Sequence, residues 1–165
     1  MTKIESAILD ILKVNARLPF SEVAALAGVD EKTVKATVKK LEKHKIISRY
    51  TTVINEDNLP QKDTLVRALI EVRVRPERKT GFDAIAKRIA RYKNVQDHFL
   101  ISGTYDFLVI VEGQTLQEVS RFVSDKLASI DNVIGTSTHF IMKKYKEHGC
   151  LMEDDVVQDR LAVSP

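Results

Sequence analysis

Residues 28–45 read GVDEKTVKATVKKLEKHK. Val34, Val38 and Leu41 recur at helical spacing, with Val29 one turn ahead of them. Six lysines fall among the same eighteen residues. Core packing requires only the apolar stripe, so the positive charge needs a second reason. Asp30 is placed to cap such a helix, because its carboxylate can accept from the free N–H groups of the first turn. The spacing predicts a helix over roughly 31–44. Upstream, SEVAALAG is a second helix with Val23 and Leu26 inward. It stops at Gly28, where a helix C-terminus favours a left-handed residue. Before that, Ile4, Ala7, Ile8, Ile11 and Leu12 mark a first helix over 4–15, which Pro19 separates from the second. A tight glycine turn between the second and third helices is the outline of a helix-turn-helix. IISRYTTVI (46–54) alternates and is rich in β-branched residues, so it reads as a strand or short hairpin, the wing of such a domain.

Turn formers and charges collect in NEDNLPQKD (55–63), which marks a linker. In RALIEVRV (67–74), Ala68, Ile70, Val72 and Val74 share one strand face; Arg67, Leu69, Glu71 and Arg73 share the other. A helix follows, with Thr80 and Asp83 spaced as a capping box and Phe82, Ile85, Ala86 and Ile89 on one face. VQDHFLI (95–101) is a second strand, SGTYD (102–106) a turn, and the residues after it a third strand. Thr115 and Glu118 form a T-x-x-E capping box for another helix, with Leu116, Val119, Phe122, Val123 and Leu127 inward. NVIGTSTHFIMKK (132–144) closes as a fourth strand. The order β-α-β-β-α-β is ferredoxin-like. The fold class is therefore α+β: a winged helix-turn-helix domain over 1–54, a linker over 55–63, a ferredoxin-like domain over 64–146 and an acidic tail over 147–165. Along the third strand, Phe107, Val109 and Val111 face one way and Leu108 and Ile110 the other. Two helices cover only one face of a four-stranded sheet, so the second apolar face calls for another cover, most simply a second copy of the chain.

The chain has 165 residues, 44% apolar and 30% charged, enough for a packed core. No apolar run is long enough for a membrane span, and MTKIESAILD reads as no secretory leader. Cys150 is the single cysteine, so no intramolecular disulfide forms, in keeping with a reducing cytoplasm. The net charge of +3 hides an asymmetry. From Lys32 to Arg49, seven lysines and arginines stand against Glu42 alone, whereas residues 147–165 hold five acids and one arginine. Such a distribution points to a polyanion at the front of the chain.

A lysine-rich surface helix is commonplace, but here it follows a tight turn and precedes a β-rich segment. In that setting the third helix enters the major groove of double-stranded DNA. Val34, Val38 and Leu41 anchor it. Glu31, Lys32, Lys35, Ala36 and Lys39 are the candidates to face the groove; Lys40, Lys43 and Arg49 are candidates for phosphate contacts. The stretch has no arginine before Arg49, so bidentate guanine reading is weak and specificity leans on DNA bendability and half-site spacing.

Over nearly its whole length the chain resembles the Lrp/AsnC (feast/famine) transcription regulators. The resemblance rests on ILDILKVNARLPFSEVAALAGVDEKTVKATVKKLEKHKIISRYTTVIN, on NVQDHFLISGTYDFLVIVEG and on LASIDNVIGTSTHFIMKKYK. It implies an N-terminal DNA-binding domain, a C-terminal effector-binding and oligomerising domain, and control by a small molecule, often an amino acid. It also implies a prokaryotic, nucleoid-associated, cytoplasmic protein whose dimers gather into octamers, with no cofactor and no membrane. Departures exist: the family often has arginine where this chain has Thr37, glycine where it has His44, and a shorter tail.

By residues alone, SGTYD is a hairpin in which Gly103 supplies a positive φ and Asp106 bonds nearby backbone. The resemblance adds an effector site there, at the contact between dimers. It would comprise Ser102, Gly103, Thr104, Tyr105 and Asp106, with Thr136 and Thr138 beside them; backbone amides take a ligand carboxylate and Asp106 its ammonium. A ligand of so few atoms binds at roughly millimolar to micromolar strength. His148 and Cys150 do not make a zinc site, and His98 and His139 read as surface or interface residues. An RNA-binding alternative exists, since β-α-β-β-α-β is also the RNA-recognition-motif order, but the third strand lacks that motif's basic start and aromatic platform. No catalytic constellation is present, so an enzyme is not expected.

Overall fold

The structure, a computed structural model, describes residues 1–59, 65–76 and 81–152. It falls into two compact units, Met1–Thr52 and Val53–Pro165.

Three helices build the first unit: α1 (Lys3–Val14), α2 (Phe20–Ala27) and α3 (Glu31–Lys43). A capping box starts α1: the Thr2 hydroxyl accepts from the Glu5 N–H, and the Glu5 carboxylate accepts from the Thr2 N–H at 2.7 Å. Gly28 closes α2 in the left-handed region at φ 66°. Asp30 caps α3 by accepting from the Thr33 N–H at 2.8 Å. Ile8, Leu12, Val23, Ala24, Val34 and Val38 form the core. Three residues expected inward are not: Ile4, Ala7 and Leu26 stay exposed. Short helices can turn only a narrow stripe inward, and Ala24 takes the place beside Val23. Lys45, not His44, makes the left-handed stop of α3 (φ 59°), and the Ile46 N–H bonds the Leu41 carbonyl at 2.9 Å.

The expected wing strand is absent: residues 46–54 form no strand, and no described segment of this chain pairs with them. A strand exists through its hydrogen-bonded neighbour, so β-branched composition alone does not make one. Ile47 packs on the helical core, while Ile46, Tyr50 and Ile54 are exposed.

In the second unit, β1 (Val66–Val74), β2 (Val95–Leu100), β3 (Phe107–Gly113) and β4 (Val133–Phe140) form one antiparallel sheet in the order β2-β3-β1-β4. With α4 (Asp83–Ile89) and α5 (Leu116–Phe122) this is the β-α-β-β-α-β arrangement. Ala68, Ile70, Val72, Phe107, Val109 and Val111 are buried together with Ile85, Ile89, Val119 and Leu127 from the helical segments. Thr115 caps α5 by accepting from the Glu118 N–H at 3.1 Å. Leu116, expected inward, is half exposed at the first position of that helix, whereas Val123 and Leu127 reach the core from a π-type turn over Val123–Leu127. The expected cap of α4 at Thr80 lies outside the described residues; the helix begins after Phe82 with no side-chain cap. On the opposite sheet face Leu69, Leu108 and Ile110 are half-buried and Phe99 exposed.

Residues 146–151, where the acidic tail was expected to begin, form a small hairpin of β5 (Lys146–Glu147) and β6 (Cys150–Leu151). It turns on His148 and Gly149, both at positive φ, as a two-residue hairpin loop requires. Glu147 pairs with Arg67, and Met152 is buried. The rest of the expected tail, and residues 60–63 of the expected linker, lie outside the described residues.

Nothing lies within 4 Å of a Cβ added at Gly28, so a substitution there meets backbone strain alone. Gly28→Ala is expected to cost the first unit about 1–2 kcal/mol, and Gly28→Asn less. The readout is a lower urea midpoint at unchanged slope.

Candidate functional site

Two surfaces concentrate polar chemistry, one in each unit. On α3, Val34, Val38 and Leu41 are buried, which fixes the rotation of the helix. Glu31, Lys32, Lys35, Ala36, Lys39, Lys40 and Lys43 are exposed, as is Arg49 beyond the helix. The candidates are not equivalent. Lys40 reaches back to α1 and pairs with Glu5 at 2.7 Å, and its hydrogen bond holds the Glu5 carboxyl below the usual carboxylate range. Lys35 pairs with Glu31 at 2.7 Å, one turn away. Lys32, Lys39 and Lys43 have no ion pair among the described residues, and they share one face at helical spacing. The Glu5–Lys40 pair was not anticipated, although the T-x-x-E box at Thr2 signals that Glu5 turns toward the helix start.

In the second unit, the segment between β2 and β3 is tied to the end of β1. The Ile101 N–H donates to the Asp106 carbonyl at 2.8 Å, and the Asp106 N–H to the Val72 carbonyl at 3.1 Å. The Asp106 carboxylate accepts from the Val74 N–H at 2.8 Å. Gly103 does not take a positive φ, and a Cβ there would meet only Ile101, at 3.7 Å. The six residues between the strands are long enough to turn without a left-handed glycine, which corrects the expectation.

A cavity of about 250 Å3 lies beside this segment, lined by Glu71, Arg73, Thr104, Tyr105, Gly135, Thr136 and Ser137. Of the sequence candidates it brings together Thr104, Tyr105 and Thr136. Ser102, Gly103, Asp106 and Thr138 do not line it; Thr138 sits opposite Ile70, on the helix-covered face. Sequence reasoning missed Glu71, Arg73, Gly135 and Ser137. The available signal was the alternation of β1, which puts Glu71 and Arg73, along with Arg67, on the face expected to need a cover.

A larger cavity of about 340 Å3 lies between the start of β1, the segment after β4 and Met152. Its charges are matched internally. Arg67 pairs with Glu112 and Glu147, and Lys144 with Glu56 at 3.1 Å and Glu147 at 3.4 Å. No group in that network is left aimed at a ligand.

No cluster of three or more His, Cys, Asp and Glu side chains able to hold a metal occurs among the described residues. Nor is any described helix long and apolar enough to cross a membrane. His139 is exposed and lies 3.3 Å from Glu71. His98, expected at a surface or interface, is instead half-buried with its ring edge-on to Phe107 at 4.8 Å. Its Nε2 is enclosed without a hydrogen-bond partner among the described residues. Phe107 itself is buried beneath the helices, so it offers no stacking platform for a base.

The chain matches two family models: the AsnC-type helix-turn-helix domain over residues 1–42 and the Lrp/AsnC ligand binding domain over residues 67–151. It is 41% identical over 165 residues to an uncharacterized HTH-type transcriptional regulator of Bacillus subtilis, YugG, covering 100% of this chain and 99% of that protein. It is 33% identical over 138 residues to the HTH-type transcriptional regulator LysM of Saccharolobus solfataricus, covering 84% and 91%. In fold it is similar to the transcriptional regulator NMB0573 of Neisseria meningitidis in complex with L-Met (TM-score 0.66, 24% identity, 89% of this chain and 93% of that one). It is also similar in fold to the leucine response regulatory protein LrpA of Mycobacterium tuberculosis (TM-score 0.72, 18% identity, 93% and 100%). The RNA-binding alternative gains no support from these matches.

Burial pushes the His98 imidazole pKa down, against a hydrogen bond to the Ala86 backbone that acts in the opposite sense. The folded chain therefore holds fewer protons than the unfolded one, and stability falls as pH drops below the unfolded value of about 6.5. Melting temperature is expected to decline from about pH 7.5 to about 5.5, and less steeply in His98→Leu. The carboxyls of Glu5, Asp30 and Glu147, all held low, lose their contribution only in more acidic solution.

Proposed function

Because this chain belongs to the Lrp/AsnC family of transcription regulators, we propose that it binds double-stranded DNA through the lysine face of α3 and responds to an amino acid or close metabolite held in the second unit. The observation that carries the DNA reading is the division of α3 into a buried valine–leucine stripe and an exposed lysine face. A helix held that firmly can be presented to the major groove at low entropic cost. Lys32, Lys39 and Lys43 are the leading phosphate and groove contacts. Lys35 joins them by exchanging Glu31 for a phosphate, since an exposed pair at this spacing is weak. Lys40 serves mainly to fix α3 against α1. Arg49 is a secondary phosphate contact on the segment after the helix.

The effector reading rests on the Lrp/AsnC ligand binding domain match and on the cavity beside residues 104–105. The L-Met complex of the Neisseria regulator supports an amino acid as the ligand class. The apolar face with Leu69, Leu108, Ile110 and Phe99 is the proposed contact with a second copy, and dimers gathering into octamers are the proposed assembly. A prokaryotic cytoplasm with nucleoid association is the proposed setting.

Fluorescence anisotropy of a labelled duplex over a salt series tests the DNA reading. Lys32→Ala with Lys39→Ala is expected to weaken binding and flatten the salt dependence by about 0.9 per lost phosphate contact. An unchanged slope would remove both residues from the phosphate contacts. Ile110→Lys places a charge on the sheet face and is expected to shift the protein to monomer in size-exclusion chromatography; a retained oligomer would move the interface elsewhere.

A further inference from the structure

We infer that Glu71 and Arg73 form a two-point clamp for the charged end of a free α-amino acid, Arg73 taking its carboxylate and Glu71 its ammonium. The inference rests on the effector reading above and changes which residues supply the charges. Glu71 and Arg73 sit two residues apart on β1, so both face away from the helix-covered core, with Cα atoms about 6.6 Å apart. An α-amino acid carries its opposite charges on groups attached to one carbon, and two long side chains at that separation can converge on them.

Local structure favours this use of Arg73. The pairing of β1 with β4 slips between Arg73 and Val74, and such an irregularity re-aims the side chain beside it. Across the strand stands Gly135. A Cβ at that position would come within 3.0 Å of one Arg73 terminal nitrogen and 3.5 Å of Nε. The missing side chain is thus the space in which the guanidinium lies. Any larger residue at 135 would force the guanidinium to shift.

The charges are also uncommitted. Arg73 has no ion pair or side-chain hydrogen bond among the described residues, and Glu71 faces only His139, at 3.3 Å. By contrast, one oxygen of the Asp106 carboxylate accepts from the Val74 N–H, and Asp106 lies outside the cavity lining. Asp106 therefore acts as a positioning residue, holding the segment that carries Thr104 and Tyr105 against the end of β1. Guanidinium and carboxylate pair through two parallel charge-assisted hydrogen bonds, which orients the ligand as well as holding it. The hydroxyls of Thr104, Tyr105 and Ser137 complete a rim suited to a small polar head. At about 250 Å3 the cavity suits a metabolite of amino-acid size rather than a nucleotide or peptide.

The test uses the full chain. Melting temperatures are measured with each of the twenty L-amino acids, and the strongest stabiliser is titrated calorimetrically together with its 2-oxo acid and its primary amide. Wild type is expected to bind the amino acid at least tenfold more tightly than either analogue, since each analogue lacks one charge. Arg73→Gln and Glu71→Gln are each expected to lose at least tenfold in affinity while their ligand-free melting temperatures stay near wild type. Arg73→Lys should recover only part, because a point charge replaces a planar fork. If both glutamine variants bind within about twofold of wild type, the clamp is overturned and the amino-acid reading stands. If no L-amino acid raises the wild-type melting temperature, the amino-acid reading falls and the clamp with it.

Discussion

The second unit depends on the alternation of β1. This strand is hydrogen-bonded on both sides, to β3 and β4, so its backbone is satisfied and its side chains must divide between the two sheet faces. Ala68, Ile70, Val72 and Val74 go under α4 and α5 and are almost wholly removed from water. That burial is a substantial share of the driving force for the unit, since burying an aliphatic side chain stabilises by about 1.5–3 kcal/mol. The same alternation leaves Arg67, Leu69, Glu71 and Arg73 with no choice of face. Arg67 is neutralised at one end by Glu112 and Glu147. Leu69 joins the apolar middle. Glu71 and Arg73, at the other end, face the cavity with at most a histidine for company.

In the first unit the constraint is the rotation of α3. Val34, Val38 and Leu41 fix it, so every lysine on the helix has a determined direction before any partner arrives. Lys40 points toward α1, where the nearly buried Glu5 receives it. That contact does two jobs at once: it gives a poorly hydrated carboxylate its counter-charge, and it leaves the remaining lysines as the outward charge of the helix. Glu5 also accepts from the backbone at the start of α1, so cap and ion pair share one side chain.

The segment after α3 shows how far a single chain can specify its own structure. Ile46, Tyr50 and Ile54 are exposed, and the alternating pattern of 46–54 suits a half-buried strand. No described strand pairs with it; only the Ile46 and Ile47 N–H groups at its start bond back to the Leu41 carbonyl. The open sheet face repeats the theme, with Leu69, Leu108 and Ile110 half-buried and Phe99 exposed.

The sequence by itself determined the order of elements. Helical spacing in α1 to α3, period-two alternation in β1 and β3, and caps at Asp30 and Thr115 are local properties, written within a few residues of where they act. It also determined that α3 pairs an anchored face with a charged one. Tertiary structure decided what depends on residues far apart in the chain. It paired Lys40 with Glu5 across thirty-five positions, turned His98 against Phe107, and gave 46–54 no partner strand among the described residues. It set Arg73 opposite Gly135 and committed Asp106 to the Val74 amide. Register and chain crossing govern such pairings, and periodicity within a segment carries no information about which residue another segment will place beside it.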